Sequence, residues 1–290
     1  MRIVASSDLH YDIPRSRAPA KDLAARACAL GGDVLVLVGD TAGADFGPFR
    51  DALRLFSGFR GLKFLVPGNH CLWSYSGGDS LHRYRTELPT MAAEEGFVLL
   101  DHNPQALGAV GLAGSIGWYD YSFTDISLGI PLPFYQAKVS PGAAYYLGWR
   151  ELVEAHATDL QARHMSIGVR WMDGQCVNLG MSDIEFAGIL ASTLQEQLEQ
   201  LSASCDRIVV FMHHLPFVEL VPKGRPDRFA FTAAFMGAER LGQVLRGFPK
   251  ITQVFCGHSH WRSRVRIDQM DILAIGSTYR EKHLEVLELP

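Results

Sequence analysis

Residues 2–17, RIVASSDLHYDIPRSR, and residues 33–40, DVLVLVGD, decide the reading of the fold. Ile3-Val4-Ala5 is a short apolar run that stops at polar Ser6, Ser7 and Asp8, so Arg2 to Ser6 reads as a strand. Lys21 to Leu30 reads as a helix closed by Gly31-Gly32, and Val34 to Val38 is an unbroken apolar run suited to a strand buried on both faces. Strand, helix, strand is a βαβ unit, the building block of a parallel sheet in an α/β protein.

The same grammar continues outward. Phe49 to Phe59 reads as a second helix with Phe49, Leu53 and Phe56 on one side, and Lys63 to Val66 as a third strand ending at Pro67-Gly68. Residues from about 71 to 205 read as a long insertion in a single domain spanning 1–290. Phe97 to Leu100 and Ala106 to Ala113 look like strands there, and Gly117 to Gln136 is aromatic and turn-rich. Ser182-Asp183-Ile184-Glu185 is a capping-box pattern that opens a helix carrying Leu190, Leu194, Leu198 and Leu201 at helical spacing. Arg207 to Met212 and Ile251 to Phe255 read as buried strands with an amphipathic helix, Thr232 to Leu245, between them. Asp271 to Ile275 and His283 to Leu289 read as a closing antiparallel pair.

Five of the expected strands empty their carboxyl ends into residues able to bind a metal: Asp8-Leu9-His10, Gly39-Asp40, Gly68-Asn69-His70, His213-His214 and Gly257-His258-Ser259-His260. In open α/β sheets, functional groups gather beyond the carboxyl ends of the strands, so five loops far apart in the chain are expected to converge. Carboxylate, imidazole and amide oxygen together suit borderline divalent ions such as Mn, Fe, Zn or Ni, whereas an all-oxygen set would suggest Ca or Mg. Side chains one residue apart leave a strand end on the same side, so Asp8 with His10 and His258 with His260 can act as pairs. Gly39, Gly68 and Gly257 precede ligands where the backbone is expected to turn sharply. A lone D-x-H or H-x-H is common on surfaces; the information lies in five pieces in a fixed order, each after a strand.

In this order, D-x-H, GD, GNH, a strand-ending His and GHxH resemble the calcineurin-like metallophosphoesterase family, over about residues 1–75 and 205–290. The resemblance implies a four-layer α/β fold, a sandwich of two sheets flanked by helices. It implies that Asp8, His10 and His260 bind one metal ion, that Asn69, His213 and His258 bind another, and that Asp40 bridges them. It further implies hydrolysis of a phosphate mono- or diester by a hydroxide held between two ions roughly 3.5 to 4 Å apart, with His70 protonating or stabilising the leaving alkoxide. Two positions depart from the pattern: Gly43 and Cys71 stand where many members carry an acidic residue. Neither removes a ligand, but the groups that orient His70 differ. Cys71 reads as a small buried filler or as a redox-sensitive neighbour of the site. His213 closes its strand and is the ligand of choice; His214 is a candidate substrate contact, as is Arg262, which with Arg264 and Arg266 fits a solvated strand face equally well.

Composition bounds the alternatives. A net charge of −4 gives no global positive field, so nucleic acid and an anionic membrane are disfavoured as partners and a small phosphorylated substrate is expected. The five cysteines are scattered without a C-x-x-C, no apolar run reaches the roughly 18 residues of a membrane span, and the expected location is the cytoplasm. Trp118-Tyr119-Asp120-Tyr121 and Tyr145-Tyr146-x-x-Trp149 read as core packing or a subunit contact before a wall for an aryl group, and no signal sets the oligomeric state. The rival functions are a nuclease of the same superfamily, a catalytically weak metal-binding scaffold, and a hydrolase acting on something other than phosphate.

Overall fold

Val34, Val36 and Val38 face one apolar layer while Leu35 and Leu37 face another, so strand β2 (Val34–Val38) is buried on both sides. The computed structural model, which describes residues 1–224 and 226–290, builds two sheets around that alternation. The first has the order β11-β1-β2-β3-β4, with β1 (Arg2–Ser6), β3 (Leu62–Val66), β4 (Val98–Leu99) and β11 (Glu285–Glu288). β1 to β4 run parallel and β11 is antiparallel to β1. The second has the order β5-β6-β7-β8-β10-β9, from β5 (Gln105–Leu107), β6 (Val110–Ser115), β7 (Arg207–Met212), β8 (Ile251–Cys256), β9 (Ser263–Ile267) and β10 (Met270–Ala274). β6, β7, β8 and β10 are parallel, with an antiparallel strand at each edge.

The sheets meet face to face through Ile3, Val36, Val66, Val209, Phe211, Phe255 and Ile275, where Phe211 and Phe255 stack at 5.5 Å. Helix α1 (Pro14–Leu30) and helix α2 (Phe46–Arg54) cover the outside of the first sheet through Leu23, Ala27, Phe49 and Leu53. The Asp183–Ser204 and Glu239–Arg246 helices cover the second through Leu194, Leu198, Leu241 and Leu245. The result is the four-layer sandwich that the resemblance implies. Among the described residues no helix is long and apolar enough to cross a membrane.

Several elements differ from expectation for identifiable reasons. α1 begins at Pro14 rather than Lys21, since proline's fixed φ suits the first helical position. The expected strand over 106–113 is a hairpin, because Gly108 turns the chain at φ 63° and Leu107 then faces Val110. The Thr232–Leu245 helix is interrupted: Leu215 donates to the Met236 carbonyl at 2.9 Å and bridges to Gly237, which pulls residues 236–238 out of the helix. Gly237 permits this approach, since a Cβ there would lie 1.8 Å from the Leu215 carbonyl oxygen. The closing pair does not form. β10 pairs with β8 and β9, whereas β11 crosses to β1 of the other sheet, where Leu287 and Leu289 join the inter-sheet layer. Of the region read as an insertion, β4 to β6 and the Asp183–Ser204 helix are parts of the sandwich, and residues 116–182 form its longest stretch without a named strand. The capping box at its end is present: the Ser182 hydroxyl accepts from the Glu185 backbone N–H at 3.2 Å and the Glu185 carboxylate accepts from the Ser182 N–H at 2.9 Å.

Phe211 is fully buried between the sheets, stacked on Phe255. Phe211→Ala is expected to destabilise the fold by about 3–5 kcal/mol, read as a lower denaturant midpoint in urea unfolding; an unchanged midpoint would show that the inter-sheet layer is not what holds the sandwich.

Candidate metal centre

The loops after β1, β2, β3, β7 and β8 come together because hydrogen bonding continues past the strand ends. Asp8 donates to the Gly39 carbonyl (3.0 Å), His10 to Asp40 (2.8 Å), Gly39 to Val66 (2.8 Å) and Gly257 to His213 (3.1 Å). Beyond those staples the backbone is strained: Asp8 (φ 54°), His10 (43°), Asp40 (46°), His258 (68°) and His260 (52°) all sit in the left-handed region. Such conformations cost non-glycine residues about 1–3 kcal/mol each and persist only where the surrounding structure fixes them. Five of the seven expected ligands therefore carry strain that the sheets hold in place.

The turn expected at the glycines before the ligands is present at Gly39 and not at Gly68 or Gly257, where glycine answers to close packing instead. Gly39 alone of the three has a positive φ, 83°. All three lack space: a Cβ on Gly39 would lie 1.9 Å from His213 Nδ1, on Gly68 2.1 Å from Asp40 Oδ1, and on Gly257 2.7 Å from the Val38 carbonyl oxygen.

All seven expected ligands meet. Asp40 Oδ2 lies 3.4 Å from both His10 Nε2 and His213 Nε2. On one side His260 Nε2 is 3.1 Å from His10 Nε2 and 3.5 Å from Asp8 Oδ1. On the other, His213 Nε2 is 3.2 Å from both Asn69 Oδ1 and His258 Nδ1. The groups Asp8–His10–His260, Asp40–His213–His258 and His10–Asp40–His70 each hold ligand atoms within 4.8 Å of one another. Outer atoms are tied to fixed partners: His258 Nε2 meets the Phe235 carbonyl at 3.1 Å, His213 Nδ1 the Val38 carbonyl at 3.4 Å, and Asn69 Nδ2 donates to Asp173 at 2.9 Å. Those partners turn the lone pairs of His258 Nδ1, His213 Nε2 and Asn69 Oδ1 inward, as ligation requires. Asp8 Oδ2 is buried without a hydrogen-bond partner. Inward lone pairs and this orphaned carboxylate oxygen together fit a pair of divalent cations.

Electrostatics agrees. Burial opposes charge on Asp40, but His213, His70 and His10 outweigh it and hold the carboxyl well below its ordinary range. Burial likewise opposes charge on His213, yet the Asp40 carboxylate raises this imidazole above its usual value, marking a point where positive charge is favoured. Burial pushes His10 and His258 well below theirs, keeping both neutral and able to donate a lone pair.

The sequence pattern of the calcineurin-like phosphoesterases matches residues 1–262. The chain belongs to the calcineurin-like phosphoesterase family. A comparison with curated proteins finds no match. Among solved structures, the fold is similar to phosphopantetheinyl hydrolase (PptH) of Mycobacterium tuberculosis, with 19% identity and a TM-score of 0.66 over 94% of this chain and 88% of that one. It is also similar to TT1561 of Thermus thermophilus, with 12% identity and a TM-score of 0.54 over 98% of this chain and 97% of that one.

In this phosphoesterase the two departures have structural answers. At Gly43 a Cβ would meet Asp12 Oδ2 at 2.8 Å, so the carboxylate of Asp12 reaches the space where a side chain at 43 would start. Cys71 is fully buried and its thiol is pushed up to about 12 by burial, which makes it an inert filler rather than a redox-sensitive neighbour. Arg83, itself buried, donates to the Cys71 carbonyl at 2.6 Å and to the Gly43 carbonyl at 3.2 Å, tying the two departing loops together. His70 stacks on Trp73 at 3.7 Å, places Nε2 4.0 Å from Asp40 Oδ2, and faces a cavity of about 620 Å³.

Neither candidate substrate contact lies in that cavity. His214 is fully buried, bound through Nδ1 to the Ile116 carbonyl at 3.0 Å and packed 4.2 Å from the His258 ring, which it supports from behind. Arg262 turns to Glu285 and the Ile275 carbonyl, and Arg264 pairs with Asp271, which leaves Arg262 outside the lining. Trp118 and Tyr119 are core residues, as expected, while Tyr146 and Trp149 are exposed. The cavity is instead walled by Trp73, Trp171, Met172, Phe229, Met236 and Trp261, with Tyr279 beside His10 and Arg170 as a cation. Lys282 is buried against the Asp8 carbonyl, and burial brings it down to about 8. None of these carries a spacing signal in the sequence. A larger open depression of about 1100 Å³, between the Asp183–Ser204 and Glu239–Arg246 helices, contains no candidate site residue.

The buried imidazoles predict the acid response of the metal-free protein. His10 and His258 are held well below 6.5, and His214 at about 3, so the unfolded chain binds more protons than the folded one below 6.5. His213 has the opposite sign, and so does buried Asp101, whose carboxyl is pushed up to about 7, so these two offset part of the effect of the three and a smaller net uptake of protons on unfolding remains. The denaturation midpoint of chelator-treated protein is expected to fall as pH drops from about 7.5 to 5.5; a midpoint that rises over this interval would contradict neutral burial of these rings.

Proposed function

We propose that the chain hydrolyses a phosphate mono- or diester of a small molecule at a two-cation centre. Asp8, His10 and His260 would hold one ion, Asn69, His213 and His258 the other, and Asp40 both. The observation that carries this reading is the Asp40 carboxylate, with Oδ2 at 3.4 Å from a histidine of each set. Bound there, divalent cations would supply the Lewis acidity that brings water within reach of deprotonation near neutral pH and offsets charge on the phosphate oxygens. The mixed oxygen and nitrogen donors suit Mn, Fe, Zn or Ni.

The protein's own groups supply the rest. His70 reaches the cavity beside the ligands, is braced by the Trp73 stack and donates its backbone N–H to Asp40 Oδ1 at 3.0 Å. A ring so braced is suited to give a proton to the departing alkoxide. The indoles and methionines around it limit water at the reacting group. A pocket of about 620 Å³ is of small-molecule size, and the chain carries net charge −4, so a polymer-binding nuclease has less support. The complete donor set favours an enzyme over a scaffold.

A panel of aryl and alkyl phosphate mono- and diesters, including a phosphopantetheinyl diester, assayed with Mn, Ni, Zn and Fe, tests the reading; no turnover with any pair would reject it. Asp40→Ala is expected to lose both ions by metal analysis and all turnover, and a variant with wild-type rates would refute the bridging role. His70→Ala is expected to retain its metals and lose about 10²–10⁴-fold in rate; loss of metal instead would recast His70 as a ligand.

A further inference from the structure

Asp173 opens a short helical turn, Asp173–Cys176, in the strand-free stretch, and is 1% exposed. Its carboxylate takes four hydrogen bonds. Oδ1 accepts from Asn69 Nδ2 at 2.9 Å and Trp73 Nε1 at 2.7 Å; Oδ2 accepts from Trp171 Nε1 at 2.8 Å and the Tyr119 hydroxyl at 3.1 Å. No Lys or Arg pairs with it among the ion pairs of the described residues. A buried carboxylate served only by neutral donors is costly to place, and each donor it fixes is held strongly.

What it fixes is informative. A carboxylate can only accept, so Asn69 must turn its NH₂ outward and its oxygen inward, where Oδ1 lies 3.2 Å from His213 Nε2. The same carboxylate consumes the N–H groups of Trp73 and Trp171, both of which line the cavity, so these indoles offer the cavity no ring N–H. Trp171 is held from behind by Phe235, stacked at 5.1 Å, and Phe235 is the residue whose carbonyl meets His258.

We propose that Asp173 is a positioning residue for both halves of the site: it locks Asn69 as an oxygen donor to one cation, and it holds Trp73 and Trp171 as an apolar wall that selects a flat, weakly polar organic group on the phosphate ester. This assignment rests on the two-cation reading above. It separates the wall's recognition, by ring faces, from recognition by hydrogen bonding to the substrate's organic group.

Asp173→Asn keeps the shape but sets an NH₂ against other donors. In Mn²⁺ titrations of the purified full chain by calorimetry, without substrate, one of two equivalents is expected to weaken by about 10–100-fold while the other is unchanged. KM for an aryl phosphate ester is expected to rise several-fold relative to KM for its methyl counterpart. A folded Asp173→Asn variant that binds two equivalents as wild type does would overturn the assignment alone. Wild-type protein binding fewer than two equivalents would overturn the two-cation reading and the assignment with it. Should Asp173→Asn fail to fold, Asp173→Ser, which removes the carboxylate and leaves a smaller polar group, takes the same titration, and wild-type affinity for both equivalents there would likewise overturn the assignment.

Discussion

The Asp40 carboxylate, buried among imidazoles, is the interaction on which the rest of the structure depends. Its Oδ2 stands 3.4 Å from His10 and from His213, and its Oδ1 accepts the His70 backbone N–H. An anion taken out of water is tolerable only with compensating charge or donors around it. Here the compensation arrives from three separate loops, after β1, β3 and β7, so the loops cannot drift apart without exposing the carboxylate's cost. Those imidazoles hold Asp40 far below the ordinary carboxylate range even though burial acts against them.

That demand explains the strain and the glycines. Left-handed backbone at Asp8, His10, Asp40, His258 and His260 opposes folding at each position. The sheets absorb it, because β1, β2 and β3 on one side and β7 and β8 on the other are hydrogen-bonded parallel strands whose carboxyl-terminal residues are buried. Gly39, Gly68 and Gly257 let neighbouring loops approach more closely than any side chain allows. The sandwich is thus a rigid frame whose rim is shaped for close packing of polar groups, and loop function on a stiff scaffold is the usual arrangement in α/β enzymes.

The strand-free stretch and the interrupted helix are part of this site rather than decoration on it. Asp173 reaches Asn69, and the break at residues 236–238 follows the 3₁₀ turn that presents the Phe235 carbonyl to His258. The two segments therefore help to orient candidate ligands and contribute Trp171, Met172, Phe229 and Met236 to the apolar wall.

Sequence alone determined the frame and the seven candidate ligands, since both depend on local signals: apolar runs that make buried strands, and polar residues placed where those strands end. His10 and His260 are 250 residues apart in the chain yet 3.1 Å apart in space, and the strand-end rule brings them together without a contact map. The rule says nothing about partners that do not follow a strand. Asp173, Trp171, Lys282 and Tyr279 look ordinary in the chain, and His214 and Arg262 look functional but turn away from the cavity. Only the tertiary structure decided these, and also the crossing of β11 to the first sheet, because each is settled by a competition among distant groups for the same space and the same hydrogen bonds, which no local pattern records.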